Sequence, residues 1–321
     1  MKRLLTILSA TMIVAASAFS ALAATENLVI ASGNSGGTYY YIGAGMAKLL
    51  SQKLDGVEVT TEATTGSPVE NGTFTSQSVE TMGIFTLDGA YAAKEGDKSK
   101  GFRKPLPNLG MLQAGHDLLL YWIAKDDSGI KSLADAKGKR IGLPSVGNTA
   151  YFQALALLEA YGLKKGDYKG IPMTYAEQGD GLKDGNIDIM CAGGGIPQAA
   201  ALDVTTTHDC VFLSIDDDKI AELKEKYPYW WVSDIPANIY RKQDKPIRVF
   251  TSKVCLFANM DMDAELAYKI TKALGESTQE LAEIHAEGNK WSAENTKALF
   301  ENQVVPFHPG AAKYYNELWK K

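Results

Sequence analysis

Two long apolar stretches, widely separated along the chain, constrain the fold more than any other feature of the sequence. The first runs from Leu118 to Ala124 and the second from Arg248 to Ala258. Each joins a complete set of short β-branched runs that alternate with helical patterns, an order typical of α/β layers around parallel strands. A chain that crosses out along one long strand and returns along another builds two lobes. We therefore predict an α/β fold with two lobes joined by two crossover strands.

These crossings also predict the boundaries of the lobes. Lobe one is expected to comprise residues 24–116 and 255–321, and lobe two residues 117–254. A single large doubly wound domain is the alternative for a chain of this length. Because open α/β sheets bind ligands beyond the carboxyl ends of their strands, two such sheets facing each other predict a binding site in the cleft between the lobes.

The first 23 residues have the pattern of a cleaved signal peptide. Lys2 and Arg3 precede an apolar run that ends in Ala21-Leu22-Ala23, a small-x-small site of the kind signal peptidase cuts. A transmembrane anchor is the alternative, since the run is almost long enough to span a bilayer. Cleavage predicts a mature chain that is located in the periplasm.

Charge and cysteine content narrow the function further. The chain has 33 Lys and Arg against 38 Asp and Glu, a net charge of -5, and no basic stripe, so a nucleic-acid partner is not expected. The three cysteines, Cys191, Cys210 and Cys255, lie in or beside apolar strand-like runs. This placement favours buried free thiols, with one disulfide as the alternative in an oxidising compartment.

Several Gly-rich loops lead from a strand into a helix. Glycine lets the backbone approach a bound group, and the free amides at a helix N-terminus favour negative charge. Loops of this design in both lobes predict a cleft that binds an anion without an Arg, although glycine turns also occur in α/β proteins for structural reasons alone. The loops span residues 32–38, 64–70, 144–149 and 193–197.

The same loops contain helix-capping residues. Ser67, followed by Pro68 and then by Glu70 three positions after the serine, predicts a capping box. Asn148 or Thr149 is the expected cap of a later helix.

Aromatic and histidine residues give further candidates for the site. Tyr39, at a helix start, is expected to form a wall of the pocket, and His116, at the first crossover, to line the cleft. An ordinary place in the polar core is the alternative for His116. His285 is expected to be a solvated helix residue, and Trp230 and Trp231 are expected to pack lobe two.

Enzymatic functions have weaker support. Residues 33–37 match the G-x-S-x-G elbow, but Ser35 lies before most of the sheet is built and no HGGG-type segment precedes it. The histidines have no metal-binding spacing and no dinucleotide fingerprint is present. We expect a non-enzyme without cofactor or metal, and a periplasmic serine hydrolase that uses Ser35 is the alternative.

Several motifs together resemble the TRAP-associated extracytoplasmic immunogenic (TAXI) family of solute-binding proteins. The resemblance extends over the whole mature chain. The matching segments are 36–40, 65–71, 128–135, 138–140, 236–237 with Tyr240, and 306–315. Thr86-Leu87-Asp88 and the loop 145–149 depart from the family pattern at positions expected to touch the ligand.

The resemblance implies a type II periplasmic-binding-protein-like fold and a monomeric receptor for an integral-membrane TRAP permease. It also implies a small carboxylate ligand such as glutamate or 2-oxoglutarate. An ABC-type solute-binding protein of the same fold is the alternative. The residues that we expect to bind the ligand are Ser35, Gly36, Gly37, Thr38, Tyr39, Gly66, Ser67, Thr86, Asp88, His116, Ser145, Gly147, Asn148, Thr149 and Gly194.

Overall fold

The computed structural model describes residues 25–33, 38–227 and 229–320. Within these ranges the chain forms one mixed sheet with helices packed against it. The strands are β1 Glu26–Ala31, β2 Val57–Glu62, β3 Thr81–Thr86, β4 Leu109–Lys125, β5 Arg140–Leu143, β6 Lys169–Pro172, β7 Ile189–Gly194, β8 Cys210–Phe212, β9 Trp231–Ile235 and β10 Ile247–Asn259. The helices are α1 Thr38–Lys53, α2 Pro68–Gln77, α3 Leu87–Glu95, α4 Thr149–Ala160, α5 Tyr175–Lys183, α6 Ala199–Thr207, α7 Asp217–Lys226, α8 Ala264–Gly275, α9 Thr278–Ile284, α10 Ala293–Glu301 and α11 Pro309–Trp319.

The sheet consists of two parallel groups joined by an antiparallel centre. Its order is β2-β1-β3-β10-β4-β7-β5-β6, with β8 beside β4 and β9 beside β10. Strand β1 is parallel to β2 and β3, and β5 is parallel to β6 and β7. Strands β4 and β10 run antiparallel to each other and to their neighbours on either side.

Strands β4 and β10 are the two predicted crossovers. Residues 109–114 of β4 pair with residues 255–259 of β10, next to β3. Farther along, residues 119–124 of β4 pair with β7, and residues 247–251 of β10 pair with β9. Both strands therefore leave one parallel group and enter the other, and the predicted two-lobed α/β fold with two crossover strands is confirmed. Strand β4 begins well before the predicted apolar run. The sequence did not predict its first part because Gly110, Gln113 and Gly115 interrupt the apolar pattern there.

Buried apolar side chains form three clusters. The first core is built by β1–β3, α1 and the C-terminal helices, and it contains Ile30, Met46, Phe85, Phe257 and Trp291. Strand β4 separates the other two clusters because its successive side chains point to opposite faces. The second core contains Leu120, Trp122, Leu157, Trp230 and Phe250. The third core contains Leu119, Tyr121, Ile123, Val204 and Val249.

One predicted helix is interrupted in the structure. The pattern from Ala264 to Ala286 predicts a single helix, but α8 ends at Gly275 and α9 begins at Thr278. The side chain of the buried Ser277 donates to the carbonyl of Ala273 at 2.7 Å. Glycine is a poor helix former, and a local hydroxyl bond offers the backbone an alternative to the helix, so the break falls here. A short 3-10 helix, Ala286–Lys290, follows α9.

The structure describes the cysteines but not the predicted signal peptide. Cys191, Cys210 and Cys255 are all buried and free, which confirms that interpretation. The predicted signal peptide, residues 1–23, lies outside the described residues. No helix in the described part of the chain is long and apolar enough to cross a membrane.

Candidate ligand-binding site

A cavity of about 580 Å³ lies where the starts of α1, α4 and α6 meet. Its volume is within the range of small-molecule sites, about 300–1,000 Å³. Both parallel groups of the sheet contribute to its walls. The lining residues are Gly33, Thr38, Tyr39, Thr65, Gly66, His116, Leu118, Asn148, Thr149, Tyr175, Gly193, Gly194, Gly195, Ile196, Pro197, Gln198, Ala199, His285, Ala286 and Glu287.

Tyr39 and His116 form one wall of the cavity. Their rings meet edge to face, with centroids 5.7 Å apart. Burial raises the pKa of the Tyr39 hydroxyl far above its usual value, so the side chain is a neutral phenol. Tyr39, predicted to form a wall of the pocket, lies in the lining of this cavity with Gly33 and Gly66.

His116 is a neutral imidazole in the folded protein. Trp291 donates its Nε1 hydrogen to His116 Nδ1 at 3.2 Å, which assigns the ring proton of the neutral form to Nε2. Burial, with smaller effects from His285 and Lys253, lowers the pKa of His116 to about 3. The ring therefore offers the cavity a hydrogen-bond donor and no positive charge.

A buried asparagine holds the loop that contains Thr65 and Gly66. Asn71 Nδ2 donates to the carbonyls of Ser32 and Ile84, both at 2.8 Å, and its Oδ1 accepts from the Thr64 hydroxyl, also at 2.8 Å. One side chain thus ties the loop to β1 and β3. Sequence reasoning missed this role because an Asn within a helix carries no local signal of a long-range contact.

Gly66 brings the backbone close to the aromatic wall. Its φ of 72° lies in the left-handed region, which favours glycine. A Cβ at this position would lie 3.5 Å from the Tyr39 ring and 3.6 Å from the Cα of Gly33. These are ordinary contact distances, so it is the backbone conformation, and not a lack of space, that favours glycine at this position.

The start of α4 is capped as expected. Asn148 is the N-cap, and its Oδ1 accepts from the amide of Ala150 at 2.9 Å. The neighbouring hydroxyls of Thr149 and Thr86 lie 2.8 Å apart and share a hydrogen bond. Thr86 is therefore occupied in holding Thr149, and it does not line the cavity.

The loop before α6 is fixed by two tyrosines and a glutamine. Tyr121 donates to the carbonyl of Gly195 at 2.6 Å, and the amide of Gln198 donates to the Tyr240 hydroxyl at 2.8 Å. Gln198 is the N-cap, and its side chain accepts from the amide of Ala201 at 2.6 Å. Sequence reasoning identified this loop through Gly194 but missed Gln198, because glutamine is not a preferred capping residue.

Three further residues of the lining were not predicted as site residues. The buried hydroxyl of Tyr175 lies close to the Asn148 side chain and to Gly193, but it forms no hydrogen bond of good geometry with these or with any other described residue. Glu287 Oε1 accepts from the amide of Ile196 at 3.1 Å. His285 accepts from the amide of Glu287 at 3.1 Å, and its ring stacks on Tyr41.

The position of His285 corrects a prediction. It was expected to be a solvated residue inside a helix, but it ends α9, caps the short 3-10 helix that follows and lines the cavity. The break after α8 changes the direction of the chain and so brings His285 to the site. The sequence holds no local signal for a turn that depends on distant packing.

Some predicted site residues have structural partners instead of a place in the lining. Asp88 accepts from Ser252 at 2.6 Å and from Trp230 Nε1 at 3.2 Å. Ser67 caps α2 by accepting from the amide of Val69 at 3.3 Å. The predicted capping box does not form, because Ser67 accepts from Val69 and not from Glu70, and the Glu70 carboxylate bonds to Thr65.

The remaining predicted site residues lie either in the loop before α4 or outside the described residues. Ser145 is exposed, and Gly147, with a φ of 92°, borders two neighbouring cavities. The structure brings together Thr38, Tyr39, Gly66, His116, Asn148, Thr149 and Gly194. Ser35, Gly36 and Gly37 lie outside the described residues.

The groups that the cavity offers to a ligand are mostly neutral. Its described lining offers hydroxyls, amides and aromatic rings, with Glu287 as the single acidic side chain and no Lys or Arg. Amides at the first turn of a helix have no intrahelical partner, and they favour negative groups. Among the described residues, no group of three or more His, Cys, Asp or Glu could hold a metal ion.

Two lobes, two crossover strands and a cavity between helix starts define the fold of the periplasmic solute-binding proteins. The chain belongs to the NMT1-like family, whose model matches residues 30–318.

Solved structures with the same fold are distant in sequence. A TctC solute-binding protein from Polaromonas is 15% identical, with 92% of this chain and 98% of that chain covered and a TM-score of 0.56. MatC from Rhodopseudomonas palustris, solved with bound malate, is 13% identical over 90% of this chain and 98% of its own, with a TM-score of 0.55. The periplasmic binding protein BugD is 13% identical over 91% and 97%, with a TM-score of 0.52.

Proposed function

We propose that this protein is the periplasmic solute-binding receptor of a TRAP-type secondary transporter and that it captures a small carboxylate such as glutamate or 2-oxoglutarate. One observation carries the proposal: the starts of α1, α4 and α6 converge on a cavity whose described lining has no Lys or Arg. Helix N-termini supply partial positive charge and free N–H donors, which together bind an anion. The receptor acts by binding and releasing its ligand and not by catalysis.

The architecture in this proposal has two lobes and a cleaved leader. The signal peptide comprises residues 1–23, lobe one residues 24–116 and 255–321, and lobe two residues 117–254. The separation of the first core from the second and third cores supports these boundaries. The mature receptor is a monomer in the periplasm.

A thermal-shift screen tests the binding step. A ligand that binds only the folded protein raises the melting temperature with the logarithm of its concentration above Kd. The panel contains glutamate, 2-oxoglutarate, malate, a neutral diamide of the same length and a sugar. At least one carboxylate is expected to raise the melting temperature in a concentration-dependent way, with no response to the diamide. A response to the sugar alone would overturn the proposed ligand class.

A second candidate is an ABC-type solute-binding protein of the same fold, because the lining of the cavity places no constraint on the type of transporter. Uptake by vesicles that contain the partner permease decides between them. Transport that needs an ion gradient and no ATP supports the TRAP assignment, and a requirement for ATP supports an ABC transporter.

The serine hydrolase alternative is tested separately. A fluorophosphonate probe labels an activated serine covalently. We expect the probe to leave Ser35 unlabelled. Labelling of the wild-type protein that disappears in the Ser35→Ala variant would support the hydrolase instead.

A further inference from the structure

Glu287 is the one charged side chain among the described residues that line the cavity. It lies on the short 3-10 helix that follows α9, against the loop before α6. Its Oε1 accepts from the amide of Ile196 at 3.1 Å. A Cβ on Gly195 would collide with the carboxylate, so the glycine is what allows this close approach.

The carboxylate of Glu287 has no cationic partner within the described part of the chain. It forms no ion pair there, and the His116 ring in the same lining is neutral because burial lowers its pKa to about 3. His285, beside Glu287, uses its Nδ1 to accept from the amide of Glu287. The remaining oxygen of Glu287 is thus available to a ligand. A ligand that carried only carboxylates would bring like charges together in a cavity of low dielectric, which disfavours binding.

Another part of the lining offers a donor. Within the described part of the chain, the buried hydroxyl of Tyr175 has no partner of good hydrogen-bonding geometry, although it lies beside the start of α4, next to Asn148. A buried hydroxyl is normally hydrogen-bonded, and a carboxylate ligand would accept from it. The cavity thus has a donor-rich wall at Tyr175, Asn148 and Thr149, and an acceptor at Glu287.

We propose that the ligand is an amino acid zwitterion, with its carboxylate held by the donor-rich wall and its ammonium group held by Glu287. This inference rests on the proposed receptor function and narrows its substrate class. It assigns Glu287 the role of a specificity-determining residue that selects an amino acid over the corresponding 2-oxo acid. The carboxylate of the ligand then meets a set of hydrogen-bond donors, and its ammonium group meets the opposite charge of Glu287.

Matched ligand pairs test the inference by calorimetry. Each α-amino acid of a panel is compared with the 2-oxo acid of the same carbon skeleton, beginning with glutamate and 2-oxoglutarate. We expect at least one amino acid to bind ten or more times tighter than its 2-oxo acid, the size of a lost hydrogen bond between charged groups.

The Glu287→Gln variant separates recognition from closure of the cavity. The amide keeps an oxygen that can accept from Ile196 but removes the charge. We expect affinity for the amino acid to fall about ten- to a hundredfold, while affinity for the 2-oxo acid stays the same or rises. Glu283→Gln, on the exposed face of α9, is the control and should bind as wild type does.

Three outcomes would overturn the inference. The first is a wild-type protein that binds 2-oxo acids as tightly as amino acids or tighter, which leaves the proposed carboxylate receptor intact. The second is an equal loss for both members of a pair in Glu287→Gln, which makes the residue a structural contact only. The third is binding of no carboxylate at all, which removes the proposed function as well. The comparison in the wild-type protein decides even if the variant fails to fold.

Discussion

Trp230 donates its indole Nε1 to Asp88 at 3.2 Å and so links two separate cores of the protein. Asp88 lies in the first turn of α3, whose neighbours Leu87 and Ala90 belong to the first core. Trp230 belongs to the second core and is 2% exposed. Asp88 also accepts from Ser252 on β10, which places the carboxylate at the junction of both cores and a crossover strand.

The first prediction concerns this link. Trp230→Phe keeps an aromatic ring but removes the donor to a carboxylate, so we expect a loss of about 1.5–3 kcal/mol in the free energy of unfolding. Trp231→Phe is the matched control, since Trp231 is 37% exposed, and it should change stability by less than about 0.5 kcal/mol. Urea unfolding measures both. Equal stabilities for the two variants would contradict the assigned role of the bond.

The second prediction concerns pH. Because the folded pKa of His116 is about 3, below its ordinary value of 6.5, the unfolded chain binds a proton between these values that the folded chain does not. Stability should therefore fall as the pH falls through this window, by at most about 1.4 kcal/mol per pH unit from this residue, and its contribution should be constant above it.

Urea unfolding at pH 7.5 and pH 4.5 measures this effect. His116→Gln should reduce the loss of stability between the two pH values, and His208→Gln, at the end of α6, should leave it as in wild type. If His116→Gln shows the full wild-type loss, the imidazole is not the residue that resists protonation.

The third prediction separates backbone strain from contact with the site. Gly66 and Gly129 both have positive φ, 72° and 77°, but only Gly66 lies beside the cavity, and Gly129 faces open space. Replacement by Val should destabilise both positions by about 1–2 kcal/mol or more. Only Gly66→Val should also weaken ligand binding in calorimetry, by tenfold or more, because its side chain is placed against Tyr39. Similar affinities in the two variants would show that the loop is only a turn.

The fourth prediction compares two helix caps. Ser67 caps α2 outside the cavity, whereas Asn148 caps α4 in its lining. Replacement of either by Ala should cost about 1 kcal/mol of stability. Asn148→Ala should in addition lower ligand affinity severalfold, and Ser67→Ala should leave affinity near the wild-type value. The reverse order of affinities would show that the ligand binds nearer to α2.

The sequence was most informative where a pattern is local. The long apolar runs of β4 and β10 predicted the crossovers, and the residues before α4 predicted its cap. Amphipathic helices such as α7 and the short strands β6 and β9 were missed, because their apolar content is low and their pairing depends on distant partners.

The site was predictable only in part for the same reason. Gly-rich loops mark where a backbone can approach a ligand, and Thr38, Gly66 and Gly194, predicted on that ground, lie in the lining of the cavity. Tyr175 and Glu287 enter the cavity through tertiary packing, and no local motif distinguishes them from surface residues. Asp88 was assigned to the ligand because its partners, Trp230 and Ser252, lie far away in sequence.

The central claim is that the ligand binds among the starts of α1, α4 and α6, and a crystal structure of the protein with its ligand tests it most directly. A neighbouring groove of about 680 Å³, bordered by Lys98, Lys100 and Phe152, is the rival location because it offers cations to a carboxylate. We expect a ligand carboxylate within hydrogen-bonding distance of the first-turn amides of α4 or α6, and an empty groove. A ligand seated in the groove beside Lys98 and Lys100, with the cavity of Thr149 and Glu287 unoccupied, would contradict the account.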